Sequence, residues 1–153
     1  MKIRKSRKGE YGEIKKMIQS VLDSIYPNAP KIKEWEDFSK YAVILVAEEG
    51  NKIIGSVAIK EVDSHTAKLK RMYVDVKSQR KGVGQELMNK VLVYCKKNRF
   101  KEIVLTTYAE MASAVKFYQK NGFDIVKNPT DKYFSNPSLK DYNNSQIAMR
   151  REL

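Results

Sequence analysis

Leu69-Lys70-Arg71-Met72-Tyr73-Val74-Asp75-Val76-Lys77-Ser78-Gln79-Arg80-Lys81-Gly82-Val83-Gly84 is the stretch that decides the fold. The apolar run Met72-Tyr73-Val74 reads as a strand and Asp75 to Lys81 as a short basic turn. From Gly82 the pattern becomes that of a long amphipathic helix, running through Leu92. A strand, a glycine-bearing turn and a helix N-terminus in this order make an anion site. The first N–H groups of a helix have no partner inside it, and the helix dipole adds partial positive charge there. Gly82 and Gly84 lack a Cβ, so a phosphate can approach the backbone, and Arg80 and Lys81 add mobile charge at the mouth. The alternative is a plain flexible turn that only lets the helix begin.

Outward from this stretch, the helix pattern runs from Gly82 to about Asn98, with Val83, Leu87, Met88, Val91, Leu92 and Cys95 on one stripe. Glu102 to Thr107 reads as a strand, completing a βαβ unit in which Ile103-Val104-Leu105 lies parallel to the Met72 strand. Upstream, Ala42 to Glu48, Lys52 to Val62 and Thr66 to Val74 form an antiparallel meander, with a hairpin signal at Glu49-Gly50-Asn51. Ile3-Arg4 predicts a short first strand. Gly9 to Ile25 predicts a helix with Ile14, Met17, Ile18, Val21, Leu22 and Ile25 in its repeat. Pro27 and Pro30 end that helix, and Ile32 to Tyr41 reads as a second short helix carrying Trp35 and Phe38. Downstream come a helix over Met111 to Asn121 stopped by Gly122, a strand from Phe123 to Val126, a long loop from Asn128 to Asn144, and a last strand over Gln146 to Met149.

The chain has 153 residues, which suits one domain, 1–153. Hydrophobic residues make up 42% and charged residues 31%, as in soluble globular proteins, and no apolar run is long enough to span a bilayer. No apolar stretch follows the basic start, so no signal peptide is read and the expected location is cytoplasmic. The lone Cys95 excludes an internal disulfide and a cysteine-rich metal site; no metal is expected. The net charge is +12, with seven Lys/Arg against two Glu in residues 1–16 and six against Asp75 in residues 68–81. That balance suits an anionic cofactor, nucleic acid or an acidic partner, and it also serves solubility.

Gln79-Arg80-Lys81-Gly82-Val83-Gly84 is a Gln/Arg-x-x-Gly-x-Gly/Ala hexapeptide directly after a strand. Further on stands Ala114-x-x-Phe117-Tyr118-x-x-x-Gly122-Phe123. In this order the two motifs resemble the signatures of the GNAT family of N-acetyltransferases, and the elements from Ala42 to Val126 follow that family's order. The resemblance implies an α/β (α+β) fold: one GNAT-like domain with a mixed central sheet of six to seven strands, an antiparallel N-terminal meander, a central βαβ unit and helices on both faces. It implies acetyl-CoA as cofactor and transfer of its acetyl group to a primary amine. Backbone N–H groups of Arg80, Gly82, Val83, Gly84 and Gln85, with Gln79 and Lys81 in the same loop, would hold the pyrophosphate. The strand Met72-Tyr73-Val74 would pair with the pantetheine arm, and the Met72 N–H would face the thioester oxygen. Ala114 and Phe117 belong to the cofactor-side helix, and Tyr118 would protonate the departing thiolate.

The chain departs from the family pattern at two positions. Met111 stands where many relatives carry Asn, and Lys68 where some place a glutamate base. The base is then Glu61, another carboxylate, a water chain, or none if the amine arrives neutral. His65 reads as a turn residue with no orienting partner. The acceptor would be shaped by Ser24 to Phe38 and Lys127 to Asn144, where Glu34, Glu36 and Asp37 would attract a cationic amine and Tyr133, Phe134 and Tyr142 would line an apolar slot. Two rival readings are a basic RNA- or ribosome-binding module and an acyl-CoA-binding protein without catalysis. Nucleic acid is not the expected partner, because no aromatic-basic recognition signature is present. The late strands leave room for a homodimer.

Overall fold

Gly50 and Asn51 lie at φ 55° and 63°, the two left-handed residues that a type I′ hairpin turn requires. They join β2 (Val43–Glu49) to β3 (Lys52–Glu61), paired antiparallel from Val43↔Ile59 to Glu49↔Lys52. In this computed structural model residues 1–27, 35–109, 111–133 and 146–153 are described. The remaining elements are β1 (Lys2–Lys5), α1 (Tyr11–Ile25), β4 (Thr66–Val74), α2 (Val83–Lys97), β5 (Glu102–Tyr108), α3 (Ala112–Lys120), β6 (Asp124–Ile125) and β7 (Gln146–Glu152). The strands form a mixed seven-stranded sheet in the order β1-β2-β3-β4-β5-β7-β6, an α+β fold.

Contacts concentrate in two compact units, Met1–Lys60 with Leu69–Tyr94, and Glu61–Lys68 with Cys95–Leu153. In the first, most of the predicted stripe of α1 is buried: Ile14, Met17, Ile18 and Val21 pack with Phe38, Tyr41, Ile44, Val46, Ile53 and Ala58, whereas Leu22 is half-buried and Ile25, in the last position of the helix, is exposed. Gly55 in β3 is where α2 comes close. A Cβ built there would lie 3.1 Å from both Leu87 Cδ1 and Val83 Cγ1, and 3.4 Å from the Tyr73 carbonyl oxygen. Gly55→Val is therefore expected to destabilise the protein by about 2 kcal/mol or more through overpacking, read as a lower urea midpoint; an unchanged midpoint would refute the close fit.

In the second unit β5 pairs with β7 over Glu102↔Glu152 to Tyr108↔Gln146, and β6 with β7 at Asp124↔Arg150 and Ile125↔Met149. The parallel register of β4 with β5 is Thr66↔Glu102 to Lys68↔Val104. The parallel pairing predicted for the βαβ unit is present, but it stops at Lys68, four residues before Met72. Buried Glu102 gathers this end: it accepts from Thr66 Oγ1 at 3.1 Å, Lys132 Nζ at 2.5 Å and Arg150 Nε at 2.5 Å. Burial opposes its ionisation, but these donors outweigh it and hold the carboxyl below the usual range. Cys95 is fully buried on α2, and burial pushes its thiol up to about 12.

Most predicted boundaries fall within a residue or two, and Thr66–Val74 matches at both ends. Four elements differ, the last strand by running on to Glu152, three residues past its predicted end. The described part of the Ile32 to Tyr41 segment holds only a single 3₁₀ turn, Phe38–Lys40, because Asp37 Oδ1 accepts from the Ser39 N–H at 2.9 Å and fixes a tight turn. The strand expected from Phe123 to Val126 shrinks to two residues. The start of the long loop contains a 3₁₀ turn, Asp131–Tyr133. Glu34, Phe134 and Tyr142 lie outside the described residues.

Candidate active site

The glycine loop is built from strand to helix. At the end of β4 the Asp75 N–H donates to the Ile54 carbonyl at 2.8 Å, and a 3₁₀ turn over Val76–Ser78 follows. The Gln79 side chain folds back, its Nε2 donating to the Val74 carbonyl at 2.9 Å. Gln79 thus ties the loop to the strand in addition to standing in the predicted motif. Arg80 and Gly82 lie at φ 63° and 84°, with Lys81 at negative φ between them. Such alternation brings successive N–H groups toward one side and forms an anion-binding nest. The ladder of α2 opens with the Glu86 N–H donating to the Gly82 carbonyl at 3.0 Å, so the nest leads straight into the helix N-terminus. Val83 is buried and anchors the loop, whereas Arg80, Lys81 and Gly82 are exposed. A Cβ built on Gly82 meets nothing within 4 Å, so the mouth is open to an incoming group. These residues fit a diphosphate.

Upstream, β4 carries a device that no sequence pattern announces. Arg71 lies at φ 54° in mid-strand, and its carbonyl accepts from buried Ser56 Oγ at 2.8 Å. Lys70 and Arg71 both reach the Tyr41 side chain: Lys70 Nζ lies 6.0 Å from its ring centroid, and Arg71 Nε donates to its hydroxyl at 3.2 Å. Successive residues of a regular strand point to opposite faces. Two in a row on one face, the second of them left-handed, mark a bulge. The bulge inverts the facing of Met72, Tyr73 and Val74, the predicted pantetheine strand. Tyr73 accordingly packs against the α1 core.

Around the bulge lies a charged cluster. Glu36 accepts from Lys60 Nζ at 2.6 Å, Lys70 Nζ at 2.5 Å and the Tyr41 hydroxyl at 3.1 Å. Burial resists its ionisation, but the two lysine hydrogen bonds prevail and bring the carboxyl down to about 2. Burial likewise pushes the Tyr41 phenol up to about 12 and the Lys70 ammonium down, the latter against the pull of Glu36. The carboxylate expected to attract a cationic amine is already bonded to two lysines, and Asp37 is occupied with Ser39. Because the folded carboxyl titrates below its unfolded value of 4.5, its contribution is complete above that pH and is lost as pH falls from 4.5 through about 2. That contribution is about 2 kcal/mol after allowance for partial exposure. Urea midpoints are expected to drop over this window and to do so less in Glu36→Gln; equal slopes would refute the pairing.

Tyr118 lies on α3, 7% exposed, edge-on to Phe117 at 5.6 Å and Phe123 at 5.8 Å between ring centroids. Its carbonyl accepts the Phe123 N–H at 3.0 Å, and Gly122 at φ 86° turns the chain out of the helix. Met111, the residue before α3, accepts the Ala114 N–H through its carbonyl at 3.0 Å, and its Sδ lies 3.7 Å from donating Thr107 Oγ1. The position of the family's Asn is thus filled by a soft acceptor for Thr107. Lys68, in place of the family's glutamate, is 3% exposed and donates to the Tyr133 carbonyl at 2.5 Å. Tyr133 is itself buried beside Val104 and Ala148. Glu61 is exposed at the end of β3, next to the hairpin closed by the Val62 N–H on the Thr66 carbonyl. Thr66 and Met72 are six residues apart along β4, about 20 Å of extended chain. His65 is exposed, and its carbonyl caps Lys101 and Glu102.

Among the described residues no three His, Cys, Asp or Glu side chains group as metal ligands, and no helix is long and apolar enough to cross a membrane. Residues 12–123 match the model of the acetyltransferase (GNAT) family. The peptidyl-lysine N-acetyltransferase YiaC of Escherichia coli (strain K12) is 30% identical over 130 residues, 78% of this chain and 83% of that protein. N-acetyltransferase 8 of Homo sapiens is 32% identical over 83 residues; the match covers 51% of this chain and only 37% of the human protein. The crystal structure of PaiA N-acetyltransferase from Thermoplasma acidophilum, in complex with coenzyme A, superposes with a TM-score of 0.75 at 19% identity, covering 99% of this chain and 98% of that one. With the family model spanning most of its length, this chain belongs to the GNAT family of acetyltransferases.

Proposed function

We propose that the chain transfers acetyl from acetyl-CoA to a primary amine by direct attack in a ternary complex. The observation that carries this reading is the nest of Arg80 and Gly82, opening onto α2 directly after a strand bulged at Arg71. The coenzyme A complex of the PaiA enzyme and the peptidyl-lysine acceptor of YiaC support it. Acetyl-CoA supplies the acyl group already activated as a thioester.

In this reading the N–H groups of Arg80, Gly82, Val83 and Gly84, with Gln85, hold the diphosphate, aided by Lys81. Gln79 keeps the loop on β4. Met72, Tyr73 and Val74 bind the pantetheine arm as an added strand, and the Met72 N–H stabilises charge on the carbonyl oxygen. Ala114 and Phe117 support the cofactor side of α3, and the Tyr118 hydroxyl delivers a proton to the leaving sulfur. The base is another carboxylate or a water chain, or none where the amine arrives neutral. Calorimetry with coenzyme A, followed by thiol release from acetyl-CoA across a panel of amines, tests the proposal. Binding and acceptor-dependent release are expected; folded protein with no affinity for coenzyme A would overturn it.

A further inference from the structure

Among the described residues the cluster at the β4 bulge holds more cations than carboxylates. Of the described residues, Lys60, Lys70 and Arg71 face the carboxylate of Glu36, and Lys15, near enough to Asp37 to help lower its pKa, adds a fourth cation, 6.0 Å from the centroid of Trp35. Glu36 is committed to the two lysines. Arg71 makes one side-chain hydrogen bond among the described residues, through Nε to the Tyr41 hydroxyl, and its guanidinium carbon lies over Trp35 at 5.2 Å. Among the described residues neither Nη of Arg71 has a hydrogen-bond partner. A guanidinium fixed at its root, stacked on an indole and left with its outer fork unspent is preorganised for a planar anion. Arg71 also directly precedes Met72, the residue assigned above to the acyl carbonyl.

We propose that Arg71 receives a carboxylate of the acceptor, so that the preferred amine is one whose own skeleton carries a carboxylate. This rests on the acetyltransferase reading and supplies its substrate class. Both a free amino acid and a peptide with an acidic residue beside its amino terminus offer this chemistry. The Arg71 fork takes the two carboxylate oxygens, while Trp35 and Tyr41 hold the fork in place. Lys60 and Lys70 keep the surrounding potential positive.

Trp35 is the only tryptophan, so its fluorescence reports on the ring beneath Arg71 without any turnover. In coenzyme A-loaded protein, titration with aspartate is expected to give a saturable emission change, and asparagine amide none. Arg71→Ala should abolish the response while coenzyme A affinity by calorimetry stays within twofold. In thiol-release assays, amino acids are compared with their amides, and Asp-containing dipeptides with their Asn counterparts. The carboxylate member should win by about ten- to a hundredfold in kcat/KM, mostly through KM. Arg71→Lys should keep part of that preference and Arg71→Ala none. Whichever pair shows the larger ratio identifies the source as free amino acid or peptide. No emission change in the wild type, or a preference that survives Arg71→Ala, overturns the assignment. Failure of coenzyme A binding, measured separately, would instead strike at the acetyltransferase reading.

Discussion

Gly82→Asp should fold and lose coenzyme A. At φ 84°, any side chain at residue 82 strains the backbone by about 1 to 2 kcal/mol. The space in front is open, because a Cβ there meets nothing within 4 Å. The variant therefore places its carboxylate at the mouth of the nest without breaking the core under Val83. Two like unit charges about 5 Å apart at an effective dielectric of about 20 repel by about 3 kcal/mol. A diphosphate at that mouth should consequently bind at least about a hundredfold more weakly. Gly82→Ala separates strain from charge: it should show the strain in its urea midpoint and retain most of its affinity. Calorimetry on the three proteins checks the result, and unchanged affinity in Gly82→Asp would remove the loop from the cofactor site.

Tyr118→Phe should leave coenzyme A affinity nearly intact and cut turnover by about a hundred- to ten-thousandfold, the usual worth of a positioned general acid. The ring keeps its edge contacts with Phe117 and Phe123, so packing is preserved and only the hydroxyl is lost. An acyl donor whose thiol is more acidic needs less help in leaving, and should recover part of the lost rate. If kcat falls by less than about threefold and the donor makes no difference, Tyr118 is not the acid.

Local rules made much of this fold legible. Gly50-Asn51 demanded a hairpin, the stripe from Val83 to Cys95 demanded a buried helix face, and Gly122 supplied the left-handed exit from α3. The glycine loop was readable for the same reason, since Gly82 is the residue its backbone needs. Arg71 and Arg80 were not readable. Both hold left-handed φ without being glycine, and surrounding contacts such as Ser56 on the Arg71 carbonyl impose it. The bulge then broke the alternation from which facing is inferred, so the meeting of Lys70 and Arg71 at Tyr41 stayed hidden. Glu36 was misread for a related cause: its partners Lys60 and Lys70 lie 24 and 34 residues away. Only strand pairing brings them together.

The thiol of Cys95 has a practical corollary. A disulfide reagent needs a thiolate it can touch, and this sulfur is enclosed, with burial favouring its protonated form. As the sole cysteine, it leaves the native protein silent to a colorimetric thiol reagent, so in the assay proposed above every equivalent of colour would come from thiol released from the acyl donor. In denaturant the same reagent should register one equivalent per chain, so a single dye reports turnover in buffer and counts unfolded molecules in urea.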